Sequence, residues 1–382
     1  MPDIDVTHPG RLQRLLGYLD ADPTNLMLLA DAANAALDES QPETAAELLQ
    51  RYRALAPLPP GLLNAEGLAA MRSGRHEQAR AAFTALREAG HDHPAVRFNL
   101  AWLSAVEGDF HSVVELVDEA VVEAVQNAAT LKVQALHHLG DLDAALELGQ
   151  AWLQRMPDDD TLLGALSVAA MDADDYALAA KLAGQAKGGA DALTTRGLVA
   201  LNEDDAPRAL ALFDEALTGR QTAPRAWIGR GLGLLITGDL DAAAPSLEKG
   251  AEIFGDHLGS WIAAGWAQFL RRDFTAARRN FETALKHDDN FAESHGALAV
   301  VDFAEGHIDS ARRRTDIALR LDKDCFGAAL AKVMLLQMQG KPELAARLRD
   351  RAMNLPTGID GKTLAQAISG FGLSFGKGTN PK

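Results

Sequence analysis

The 382-residue chain is longer than a single hydrophobic core usually supports, and 53 acidic against 37 basic side chains give it a formal net charge of −16. That acid surplus excludes nucleic acid as the main partner, because phosphate binding needs a basic face, and the lone Cys325 excludes an intrachain disulfide framework. No run of about 20 apolar residues occurs and Met1-Pro2-Asp3-Ile4-Asp5 lacks the basic start of a secretory signal, so the expectations are no membrane insertion and a cytoplasmic protein.

In chain order, Leu12, Leu15, Leu16 and Leu19 fall at helical spacing and stop at Asp22-Pro23, which predicts one N-terminal helix. A small residue then recurs at Ala45, Ala79, Val113, Ala145, Ala179, Ala209, Ala243, Ala277, Ala311 and Ala345, at intervals of 34, 34, 32, 34, 30, 34, 34, 34 and 34. Before it stand a first-helix glycine (Gly67, Gly197, Gly231, Gly265) and a turn glycine (Gly74, Gly108, Gly140, Gly238, Gly306, Gly340); after it come Phe83, Phe213 and Phe281. Pro57, Pro59 and Pro60 force a break before the second unit. The 30-residue interval, with Gly188-Gly189 inside it, has lost about one helical turn, which predicts a shortened helix and a changed stacking angle. Pro207 fits a first helical turn, whereas Pro245 lies deeper and predicts a kink or a delayed start.

This period and residue grammar resemble the tetratricopeptide repeat, a helix-turn-helix unit that stacks on its neighbours, over nearly the whole chain. The resemblance implies an all-α, α-α superhelical fold: a capping helix in 1–23, repeats 1 to 5 in 24–187, repeats 6 to 10 in 188–355, and a last short helix with a tail in 356–382. It also implies a non-enzymatic scaffold or adaptor that binds a peptide or helix of another protein along its first helices. The alternative is a structural or chaperone-like subunit of a secretion or envelope-biogenesis assembly.

Composition of the first helices indicates what a partner would meet. In the N-terminal repeats the inward positions include Asn34, Asn64, Phe98, Trp102 and Gln134, amide and aromatic groups suited to an extended backbone. In repeats 7 to 10 they are apolar: Ile228, Leu232, Leu235, Ile262, Trp266, Phe269, Val300, Phe303 and Met334. Some relatives clamp a chaperone's terminal carboxylates with Lys and Asn; the matching Ala30, Asn34, Ala65, Ala95 and Asn99 lack both cations. No cofactor is expected. Gly361-Lys362-Thr363 lacks the upstream glycine of a phosphate loop, and His91, His93, His137 and His138 lack metal-site partners. Arg279, Arg313 and Arg347 are equivalent, each with an acid three residues on (Glu282, Asp316, Asp350), which predicts a ladder neutralised within its own helices. Residues 271–382 hold 18 basic and 14 acidic side chains, against 19 and 39 in the first 270. Phe371, Leu373 and Phe375, in a glycine-rich tail, could fold back as a displaceable ligand.

Overall fold

Twenty-two α-helices and no strand occur in residues 10–354, the part described in the computed structural model. The expected helix at 360–369, the Gly361-Lys362-Thr363 triplet and the aromatic tail lie outside the described residues. The chain divides between Pro157 and Asp158 into two compact units. The first holds α1 (Arg11–Ala21), α2 (Leu26–Asp38), α3 (Pro42–Leu55), α4 (Pro60–Arg72), α5 (His76–Glu88), α6 (Pro94–Val106), α7 (Phe110–Leu116), α8 (Glu119–Ala124), α9 (Ala128–His138) and α10 (Leu142–Leu153). The second holds α11 (Asp160–Asp172), α12 (Tyr176–Gln185), α13 (Ala190–Asn202), α14 (Ala206–Gly219), α15 (Pro224–Thr237), α16 (Leu240–Phe254), α17 (Leu258–Leu270), α18 (Phe274–His287), α19 (Ala292–Ala304), α20 (Ile308–Leu321), α21 (Phe326–Met338) and α22 (Pro342–Met353). Within each unit the helices pair into hairpins.

Each hairpin closes on the same contact. All ten small residues, from Ala45 to Ala345, are buried on the second helix, where only a small side chain lets two helix backbones meet. Phe83, Phe213 and Phe281 have no exposed surface, and each ring lies against the first-helix glycine of its own hairpin. A β-carbon on Gly67 would sit 2.6 Å from the Phe83 ring, and Phe213 also covers Gly229 of the following hairpin, filling the wedge between neighbours.

The turns share one construction. Gly74, Gly108, Gly140, Gly238, Gly306 and Gly340 all have positive φ, and at the equivalent place in the other four hairpins stand Ser40, Asp174, Asp204 and Arg272, with φ of 56°, 58°, 61° and 64°. In six turns the next residue is an aspartate whose carboxylate accepts an amide hydrogen at the start of the second helix, as Asp239 does from Ala242 at 3.0 Å. The left-handed residue reverses the chain and the aspartate meets the orphan donors.

Departures from the period have visible consequences. Helix α1 has no partner of its own and buries Leu12 and Leu19 on the first hairpin, its Leu12 amide donating to Glu39 at 3.0 Å. At the 32-residue interval the second helix breaks into α7 and α8, restarted by Asp118, which accepts from the Val121 amide. Within the 30-residue interval, from Ala179 to Ala209, α12 has 10 residues where α14 has 14, and α13 packs on α11: the Ser167 and Thr195 hydroxyls hydrogen-bond at 2.9 Å in the buried seam. Asp172 at the end of α11 then reaches past α13 to a two-pronged ion pair with Arg225 at the start of α15, at 2.9 and 2.5 Å. Pro245 does not delay its helix, which starts at Leu240; the donor it removes would have served the carbonyl of exposed Asp241, which water can satisfy.

Placing a β-carbon under a fixed ring should be costly, so Gly265→Ala is expected to lower the urea-unfolding stability by about 1–3 kcal/mol. Relieving a left-handed arginine should do the reverse: Arg272→Gly is expected to raise stability by about 1 kcal/mol in the same measurement.

Candidate functional site

In the first unit the sequence-predicted Asn34 and Asn64 come together. They line one cleft of about 420 Å³ between α2 and α4, with Leu37, Asp38, Leu68 and Arg72. Both asparagines project because they occupy the helix faces left over once Ala33, Leu37, Ala65 and Ala69 have turned to the core. The Arg72 guanidinium donates to the Leu37 carbonyl at 2.7 Å, which caps α2 and holds the cation at the cleft. Asp38 lies 3.7 Å from Arg11, so the cleft carries one charge of each sign beside its amides. Neither the Asn34 nor the Asn64 amide is hydrogen-bonded to another described residue. Phe98, Trp102 and Gln134 lie outside this lining. Phe98 and Gln134 are half-buried, and Trp102 is 37% exposed, edge-on to His76 at 5.9 Å.

The apolar positions of the second unit are used largely by the fold. Ile228, Leu232 and Leu235 are half-buried against Leu247, Ala264 and Ala267. Trp266 is half-buried among three rings, Phe269, Phe281 and Phe326, at 5.7, 5.4 and 5.9 Å. Phe303 and Met334 are half-buried as well. Two expected partner-facing residues are corrected: Val300 has no exposed surface and Ile262 is buried. The reason for Val300 is the approach of α19 to α21. A β-carbon on Gly296 would fall 2.5 Å from the Ala328 amide and one on Gly327 2.6 Å from the Ala297 amide, so the backbones cross in contact and Val300 is enclosed with Ala299 and Ala331. Ile262 belongs to the core formed with Phe281 and Leu298.

Beside that crossing lies a buried carboxylate. Glu293, in the first turn of α19, accepts the Gly327 amide hydrogen at 3.1 Å and the Cys325 thiol at 3.2 Å, so it caps the next hairpin's first helix from outside. Burial raises its pKa above the ordinary carboxylate range, against the lowering effect of the Gly327 amide. Cys325 is itself the side-chain cap of α21, accepting from the Ala328 amide, and burial followed by the nearby Glu293 charge pushes its thiol pKa well up. It is a buried free thiol, held largely in its protonated, weakly nucleophilic form.

Metal-like and charge clusters resolve into structural roles. Among the described residues, Asp302, Glu305 and His307 bring ligand atoms within 4.8 Å of one another. Their carboxylates are occupied: Arg278 donates to Asp302 and Glu305 at 2.6 Å, and Arg314 to Asp302 at 3.1 Å. The expected pairing of the arginine ladder within its own helices is corrected. Arg279 turns 3.4 Å to Glu248 of the preceding hairpin, Asp316 lies 3.9 Å from Lys332, and Asp350 is taken by Arg349 at 2.8 Å. Arg313 and Arg347 are left exposed and without a carboxylate partner among the described residues. Arg279 finds an acid on the preceding hairpin, and an exposed pair three residues apart is worth too little to hold the other two in place.

Comparison with known proteins bears on the fold and the repeat. The tetratricopeptide repeat family profile matches residues 30–89, 64–128 and 194–256. A chain of the APC/C hetero-tetramer Cut9–Hcn1 is similar at 14% identity with a TM-score of 0.56, over 94% of this chain and 80% of that one. Yeast Tom70 aligns at 13% identity and a TM-score of 0.40 over 88% and 85%, and MamA of Desulfovibrio magneticus RS-1 at 15% and 0.36 over 45% and 97%. No curated protein matches the sequence. No described helix is long and apolar enough to cross a membrane.

The buried carboxylate makes a pH prediction. A carboxyl whose pKa is higher folded than unfolded stabilises the fold below the unfolded value, near 4.5, and that contribution is lost as pH rises through the folded value. Glu293→Gln, which keeps an acceptor for Gly327, should therefore melt on the order of 2–4 °C above the wild type at alkaline pH. The difference should shrink as the pH is lowered below the carboxylate range, read by calorimetry at both ends.

Proposed function

We propose that this chain, a tetratricopeptide-repeat protein of ten hairpins, is a non-enzymatic scaffold that holds an extended segment of another protein against the first helices of its hairpins. The observation that carries this reading is the pair of unpartnered amides, Asn34 and Asn64, facing one cleft. Every residue of an extended peptide presents an N–H and a C=O, and a primary amide offers both a donor and an acceptor. Two such amides on successive first helices would fix the peptide's register without demanding a particular side chain. Leu68 offers apolar surface for one side chain, while Asp38 and Arg72 select charge at its margin.

The second unit, taken by itself, would hold a segment through Leu232, Leu235, Phe269, Phe303 and Met334, which keep part of their surface in water. Covering that remainder stabilises a complex by roughly 25 cal/mol per Å² of apolar area. Trp266, wedged by three rings, serves the fold more than a ligand.

The test is binding of peptides selected from a random displayed library on the full chain. Asn34→Ala with Asn64→Ala should weaken them about tenfold, the loss of two modest hydrogen bonds, with the melting temperature unchanged. Equal affinity for wild type and double variant would discard the cleft as the site.

A further inference from the structure

The residue two places after each hairpin's small alanine or valine lies on the second helix and is exposed in all ten hairpins. Read along the chain, that outward position is Glu47, Ala81, Glu115, Glu147, Lys181, Ala211, Pro245, Arg279, Arg313 and Arg347. One geometrical address thus carries acids in three of the four hairpins of the first unit, Ala81 being the exception, and arginines in the last three of the second. Their surroundings follow suit. Helices α18, α20 and α22 together hold ten basic and five acidic residues, while α3, α7 and α10 hold five acidic and two basic. Among the described residues Glu47, Glu115 and Glu147 have no cation partner, nor do Arg313 and Arg347 a carboxylate; the Arg279 side chain is 67% exposed despite its contact with Glu248.

An opposite charge three or four residues away on the same helix would neutralise such side chains locally. Here two outward ladders of opposite sign, paired only at Arg279, occur on one chain, so charge complementary to the arginine ladder is already encoded by the protein itself. We propose that the outer faces of the second helices form a self-recognition surface, in which Arg279, Arg313 and Arg347 of one copy meet Glu47, Glu115 and Glu147 of a second copy. The occupant is another molecule of this chain, and the attraction is electrostatic. The net charge of −16 opposes the approach of two copies at a distance, but at about 0.15 M salt the screening length is about 8 Å, so repulsion between distant charges fades while pairs in contact persist. Still higher salt should then weaken the pairs themselves.

Sedimentation velocity on the full chain at micromolar concentrations tests this. Reversible self-association is expected at about 0.15 M salt, with the dissociation constant rising about tenfold or more by about 0.6 M. Two charge-reversed variants, R279E/R313E/R347E and E47R/E115R/E147R, should each be monomeric alone, since each presents ladders of a single sign. Mixed in equal amounts they should associate, which a misfolded variant could not do. A monomeric wild type would overturn the proposal, as would association that survives both reversals or a failure of the mixed variants to pair. So would a monomeric wild type that binds phosphatidylserine vesicles through the arginine ladder, since the basic face would then be meeting a membrane.

Discussion

The structure depends on how closely two helix backbones can lie. In every hairpin a residue no larger than valine sits where the second helix crosses the first, and where a phenylalanine follows, a glycine opposite it leaves room for the ring. Burying such a ring is worth about 1.5–3 kcal/mol, but only if the partner has no β-carbon in the way. At α19 and α21 the same economy of size lets two first helices touch backbone to backbone at Gly296 and Gly327. There the buried Glu293 supplies an acceptor to the start of α21, a helix end that water cannot reach.

Because the hairpins are fixed by small residues, their larger first-helix side chains can be divided between packing and recognition. In the second unit packing takes most of them: Val300 and Ile262 are covered outright, and Trp266 is held among three rings. In the first unit the corresponding helices present asparagine at two places, and an asparagine without a protein partner contributes nothing to the core. The proposed peptide site rests on that contrast: polar groups left unsatisfied by the fold can be satisfied by a ligand. The outer ladders follow the same logic with charge instead of amides.

The turns show why a repeat can be exact in geometry and loose in sequence. Six turns use glycine for the left-handed residue and four use Ser40, Asp174, Asp204 or Arg272, each adopting the same positive φ. The packing of the two helices, joined after Asp174, Asp204 and Arg272 by an aspartate cap, imposes the conformation even where the residue resists it. Glycine marks most of these turns in the sequence; the other four are found only by counting 34, or 30, residues from a neighbour.

Residue size at a fixed spacing was enough to read the number of hairpins, the ten small residues, the wedge-filling phenylalanines and the shortened helix before Gly188-Gly189 from the sequence, because each hairpin contacts chiefly its neighbours. The sequence also placed Asn34 and Asn64 on facing helices. Only the tertiary structure decided which inward side chains remain available, since that depends on the angle and distance between successive hairpins, as the enclosure of Val300 shows. It decided the ion pairs for the same reason. Arg279 chose Glu248 and Arg225 chose Asp172, 53 residues away, because a long side chain pairs with whatever carboxylate the fold brings within its reach, not with the nearest one in sequence.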